Sequence, residues 1–95
     1  MKIKEVCRRT GLTEKSVRYY VEQGLCSPAQ VEVRGRIYSE FGSENLRELT
    51  QVIRLRSAGL SIEQISRIKA GELDYDEVIA KYPMFKDEID EILGR

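Results

Sequence analysis

Short amphipathic stretches parted by glycines, and one brief alternating segment with a glycine at its bend, predict a mainly α fold with a small two-stranded β hairpin. At 95 residues the chain can form one small domain, near the lower limit for burying a core. A hydrophobic share of 41% fits a folded chain, and a charged share of 34% fits short helices with solvated outer faces.

The first stretch, about Lys4 to Arg9, reads as a helix with Val6 and Cys7 inward and Arg8 and Arg9 outward. Thr10-Gly11-Leu12 makes a turn, and Thr13 is the expected N-cap of a second helix reaching about Gln23. Val17, Tyr20 and Val21 recur at helical spacing, continued by Leu25, so they form the buried stripe. Glu14, Lys15, Arg18, Tyr19 and Glu22 take the opposite face. Two short helices joined by a glycine-containing turn of about three residues are the sequence form of a helix-turn-helix.

Ser27-Pro28 ends the helical pattern, and Gln30 to Arg34 alternates polar and apolar residues. Gly35 supplies the bend before Arg36-Ile37-Tyr38, which predicts a hairpin, or wing, and makes the whole a winged helix-turn-helix. Ser43 is the expected cap of a third helix to about Ala58, with Leu46, Leu49, Val52, Ile53 and Leu55 or Leu60 inward. Ser61-Ile62-Glu63-Gln64 has the capping-box pattern and opens a fourth helix with Ile62, Ile65 and Ile68 inward. These two form a second helix pair that ends at Gly71. Residues 1–71 are thus the expected winged module, and 72–95 an acidic helical tail interrupted at Tyr82-Pro83. Within the tail Phe85, Ile89, Ile92 and Leu93 make one apolar stripe, a candidate dimerisation face that helical spacing equally allows to be core.

Net charge is zero, but it is unevenly spread. Residues 1–71 hold 13 basic and 8 acidic side chains, a balance of +5, whereas 72–95 hold 3 and 8, a balance of −5. A basic binding module followed by an acidic segment accounts for that split. Cys7 and Cys26, with no histidine, cannot supply the roughly four ligands of an ordinary zinc site. No metal or cofactor is expected, and both cysteines read as small core residues. With no nucleophile elbow, phosphate loop or paired-carboxylate cluster either, catalysis is not expected. No apolar run is long enough for a membrane span, and no signal peptide follows the basic start, so the expected location is the cytoplasm, on the nucleoid.

What the composition admits is double-stranded DNA. A helix entering the major groove needs side chains that reach base edges and phosphates. Lys15, Arg18 and Tyr19 share one exposed face of the second helix, and Arg18 can bind a guanine edge in bidentate fashion or hold a phosphate. Tyr20, turned partly inward, can pack its ring while its hydroxyl finds a polar partner. Arg34 and Arg36 flank the wing bend, and Arg54 and Arg56 on the third helix are candidate phosphate contacts.

Over about residues 1–71 the sequence resembles the MerR family of bacterial transcription regulators. The resemblance lies in Ile3-x-Glu5-Val6, Thr10-Gly11-Leu12-Thr13, Val17-Arg18-Tyr19-Tyr20, Gly24-Leu25 and Pro28. It continues through Arg36-Ile37-Tyr38-Ser39 and Gly59-Leu60-Ser61-Ile62-Glu63-Gln64-Ile65. It implies transcription regulation, with the second helix in the major groove and the wing on the flanking backbone or minor groove. Arg18, Tyr19, Arg36 and Tyr38 match the family's DNA-contacting positions, and Tyr20 the second tyrosine of its motif. The implied partners are a second copy of the chain, on a roughly palindromic site, and RNA polymerase at a promoter. Val21 stands where a glutamate is usual, and Phe41-Gly42 looks like an insertion between wing and third helix. Family members usually continue into a long dimerisation helix and often a sensing domain. Nothing in the tail resembles an effector site, so no small-molecule effector is expected. Two other readings stay open at this point: an excisionase-like, phage or plasmid protein that bends DNA, and a protein-interaction module that has lost DNA binding.

Overall fold

Val6 and Val17 are both fully buried, and their contact brings the first two helices together. The computed structural model describes residues 1–95, which form two compact units, Met1–Thr50 and Gln51–Arg95.

In the first unit, α1 (Ile3–Thr10) stops at Gly11, whose φ of 77° lets its N–H reach the Cys7 carbonyl at 2.9 Å. Only glycine takes that left-handed cap without steric cost. Thr13 caps α2 (Glu14–Glu22) by accepting from the Ser16 N–H at 3.1 Å, as its position in the sequence predicts. Cys26, Phe41 and Leu49 complete the core with Val6 and Val17, while Leu12, Tyr20, Val21 and Leu46 pack around them half-buried. Cys7 is half-buried, and neither cysteine forms a disulfide.

The wing consists of β1 (Ala29–Val33) and β2 (Arg36–Glu40), antiparallel, with Val31 opposite Tyr38 and Val33 opposite Arg36. Its two-residue turn has positive φ at both Arg34 (52°) and Gly35 (78°), the requirement of a type I′ hairpin. The alternation that predicts these strands does not bury one face: Val31, Val33, Ile37 and Tyr38 all stay exposed.

One expectation beside the wing needs correction. Ser43 is not the cap of α3 (Ser43–Ser57). The Gly42 carbonyl accepts the first helical hydrogen bonds, and the Asn45 side chain reaches back to accept from the Gly42 N–H at 2.8 Å. Gly42 is therefore the N-cap, and the residue before it, Phe41, packs in the same cluster as Leu46 at the fourth helical position. That is a hydrophobic staple, and Phe41 is a core residue, 2% exposed.

The second unit holds the end of α3, then α4 (Ile62–Lys69), α5 (Tyr75–Lys81), a single 3-10 turn (Pro83–Phe85) and α6 (Lys86–Ile92). Ser61 and Gln64 form both halves of the expected capping box, at 3.0 and 2.8 Å. α6 packs against α4, and Ile68, Leu73, Val78, Ile89 and Leu93 surround a void of only about 10 Å³. The compact units divide at 50/51.

Replacing Phe41 by alanine removes the staple and leaves a cavity. The expected loss is about 3–5 kcal/mol of unfolding free energy, read from the denaturant midpoint at unchanged slope; a loss within 1 kcal/mol would show that Phe41 is not part of the core.

Candidate nucleic-acid interface

α2 presents Lys15, Arg18 and Tyr19 on one exposed face, because burying Val17 turns those three positions outward. The Arg18 side chain is 62% exposed and meets Glu14 one turn away at 3.8 Å. A pair so exposed contributes at most about 1 kcal/mol, so its guanidinium can be surrendered to another acceptor. Tyr19 is 45% exposed, whereas Tyr20 is half-buried against the core with its ring centroid 6.1 Å from that of Tyr19.

The wing carries the second set. Arg34 and Arg36 are exposed at its tip, and Tyr38 lies further down β2 with the Lys2 ammonium 5.2 Å from its ring centre. The base of the wing is tied to the start of the chain. Glu40 accepts from the Met1 amine at 2.8 Å and from Lys2 Nζ at 2.9 Å. The Phe41 N–H donates to the Met1 carbonyl at 2.8 Å, and the Met1 amine donates back to the Phe41 carbonyl. The Met1 amine first, and Lys2 second, hold the Glu40 carboxyl down to about 2.

Between α2 and β2 lies an open cleft of about 650 Å³. Arg18, Val21 and Glu22 line it from α2, Ile37 and Tyr38 from β2. The structure thus brings Arg18 and Tyr38 to one cleft, while Lys15, Tyr19, Tyr20, Arg34 and Arg36 are not among its lining residues.

Arg54 and Arg56 belong to the second unit and have work there. Arg54 pairs with the largely buried Glu88 at 2.7 Å, and Arg56 donates to the Leu60 carbonyl at 3.0 Å beyond the end of α3. Both remain exposed at the surface. The stripe assigned to dimerisation changes character too. Ile89 is fully buried and Phe85, Ile92 and Leu93 are half-buried, so Ile89 is core of its own unit. Around it, Asp90 accepts from Tyr75 and pairs with Lys86 at 2.6 Å, and these two partners hold its carboxyl below its usual range, Lys86 most strongly. On α1, Glu5 pairs with both Arg8 and Arg9, which hold its carboxyl down to about 2.

Sequence reasoning missed Lys2 and Lys4, which line the cleft from the start of α1. Their alternation with Ile3 was the available signal: Ile3 packs against the core and its neighbours are exposed. No group of three or more His, Cys, Asp or Glu side chains is arranged to hold a metal ion.

Two helices around a tight turn, a two-stranded wing and a further helix pair define a winged helix-turn-helix protein. Residues 1–72 match the MerR HTH family of regulatory proteins, and the chain belongs to that family. It is 34% identical over 68 residues to the HTH-type transcriptional regulator CueR of Salmonella typhi, covering 72% of this chain and 48% of that one. To the heavy metal-dependent transcription regulator 2 of Rhizobium meliloti strain 1021 it is 36% identical over 70 residues, 74% of this chain and 46% of the relative. The chain therefore spans about half the length of the curated relatives it matches. Among solved structures, a MerR family transcriptional regulator from Listeria monocytogenes superposes with a TM-score of 0.60 at 28% identity, over 100% of this chain and 71% of that one.

The wing turn offers a direct check. A side chain in the left-handed region costs about 1–2 kcal/mol relative to the right-handed one, and asparagine bears it better than arginine, Asn-Gly being a favoured type I′ pair. Arg34→Asn should therefore raise unfolding free energy by roughly 0.5–1 kcal/mol; a drop in stability would show that Arg34 has contacts that outweigh its backbone cost.

Proposed function

We propose that this chain binds double-stranded DNA in a sequence-specific manner and regulates transcription, with α2 in the major groove and the wing on the flanking backbone or minor groove. The observation that carries the reading is Arg18 and Tyr38, exposed on the two flanks of one cleft, in a chain of the MerR HTH family. A groove about 12 Å wide admits one helix, and only the outward face of α2 can then reach the bases.

The roles follow from chemistry. Arg18 exchanges its weak pair with Glu14 for the N7 and O6 acceptors of a guanine or for a phosphate. Lys15 and the Tyr19 hydroxyl hold phosphates and so set register without reading sequence. Tyr38, braced by Lys2, donates its hydroxyl from the wing side. Arg34 and Arg36 place two guanidinium groups at the wing tip, where a narrow minor groove concentrates negative potential. Tyr20 serves chiefly to pack α2, and Arg54 and Arg56 are left out because Glu88 and the Leu60 carbonyl engage them. Action as a homodimer on inverted half-sites, in the cytoplasm and beside RNA polymerase, completes the proposal. No helix is long and apolar enough to cross a membrane.

Selection from random duplex DNA, repeated at several salt concentrations, tests it. The expected result is an enriched site built of inverted repeats, with affinity falling steeply as counterions are released. Arg18→Ala should cost about 1–3 kcal/mol on that site and relax preference at one base pair. Absence of any enriched sequence would overturn the DNA reading; a single, unrepeated half-site would overturn only the dimer.

A further inference from the structure

The cleft between α2 and the wing is more basic than the recognition face that borders it. Lys2, Lys4 and Arg18 line it against a single acid, Glu22. The rest of its lining is apolar, Ile3, Val21, Ile37 and Phe41, with the hydroxyls of Tyr38 and Ser39. If α2 lies in one groove and β2 touches the next, the sugar–phosphate strand that separates those grooves crosses this opening. A lysine there meets a phosphate whatever the sequence beneath it.

We infer that the cleft is the seat of the DNA strand crossing from α2 to the wing, and that Lys2 and Lys4 are phosphate-binding residues of the interface. This rests on the DNA reading above and extends it to α1, which carries no site residue in that reading. Lys4 is exposed. Lys2 is 60% exposed and shared between the Glu40 carboxylate and the Tyr38 ring. Its pair with Glu40 is an exchangeable surface contact, and the Met1 amine stays on Glu40 when Lys2 turns to a phosphate. The strand can thus gain a cation without meeting an uncompensated carboxylate. The contact also places the phosphate beside Tyr38, whose hydroxyl is the wing's own donor at that point.

The test measures binding of the 95-residue chain and its Lys4→Ala, Lys2→Ala and Lys2→Arg variants to the selected duplex and to an unrelated duplex, across a salt series. Each phosphate contact contributes about 0.9 to the slope of log K against log salt. Lys4→Ala and Lys2→Ala should each lower that slope by about one and weaken both duplexes by the same factor, leaving their ratio intact; Lys2→Arg should keep the wild-type slope. Circular dichroism of each variant separates a lost contact from a lost fold, and Lys4→Ala, which breaks no ion pair with Glu40, carries the decision if Lys2→Ala is disordered. Wild-type binding with unchanged slopes in folded variants would overturn this proposal and spare the DNA reading. Loss confined to the selected duplex would likewise overturn it, since it would make these lysines readers of bases. No binding by the wild-type chain would overturn both.

Discussion

Phe41 sits where three demands meet. Its ring fills the core between Val6, Val17 and Leu49, its position before Gly42 sets the angle at which α3 departs, and its backbone pairs with Met1. The wing ends one residue earlier, at Glu40. The hairpin has no buried face of its own, and a two-stranded sheet is at best marginally stable alone. Its orientation relative to α2 is therefore inherited from the anchoring of Phe41 and from the clasp of Glu40 on Met1 and Lys2. The distance between Arg18 and Tyr38, on which the proposed interface turns, depends on a residue whose ring belongs to the core.

Many of the cations have a local partner. Glu5 takes Arg8 and Arg9, Glu88 takes Arg54, and the Leu60 carbonyl takes Arg56. Exposed cations remain on the outer face of α2, at the wing tip and around the cleft. The zero net charge of the chain thus conceals a sorted distribution. In the tail, several acids neutralise neighbours in their own unit, Asp90 with Lys86 and Glu88 with Arg54, so the acidity is partly structural and not only a solvated surface.

The short-range signals proved readable and the long-range ones did not. Thr13, Gly11 and the Ser61/Gln64 box bound their helices because a cap acts within four residues, a distance that sequence displays directly. The same holds for the wing, whose turn requires Gly35. Ser43 misled because serine is a common cap, while Gly42 holds that position and borrows the Asn45 side chain three residues on. The core role of Phe41 was not legible because its partners Val6 and Val17 lie far back in the chain. The partner of Arg54 was not legible because Glu88 is 34 positions away, and the stripe containing Ile89 gives no clue to whether its cover is α4 or a second chain. Family resemblance is what proposes Arg18, Tyr19, Arg36 and Tyr38, but it has no signal for Lys2 and Lys4, whose proposed role comes only from the cleft they line.

The hairpin is fastened at its base and carries a left-handed arginine at its tip, and this has a thermodynamic consequence. Local opening should be graded along its ten strand residues, slow beside Glu40 and fast beside Arg34, because only the base shares in the cooperative unfolding of the core. Any partner that grips the tip must then supply the entropy of ordering it, whereas one that grips the base meets a surface already still. Affinity gathered at Tyr38 costs little organisation, and affinity gathered at Arg34 is discounted by the freedom it removes.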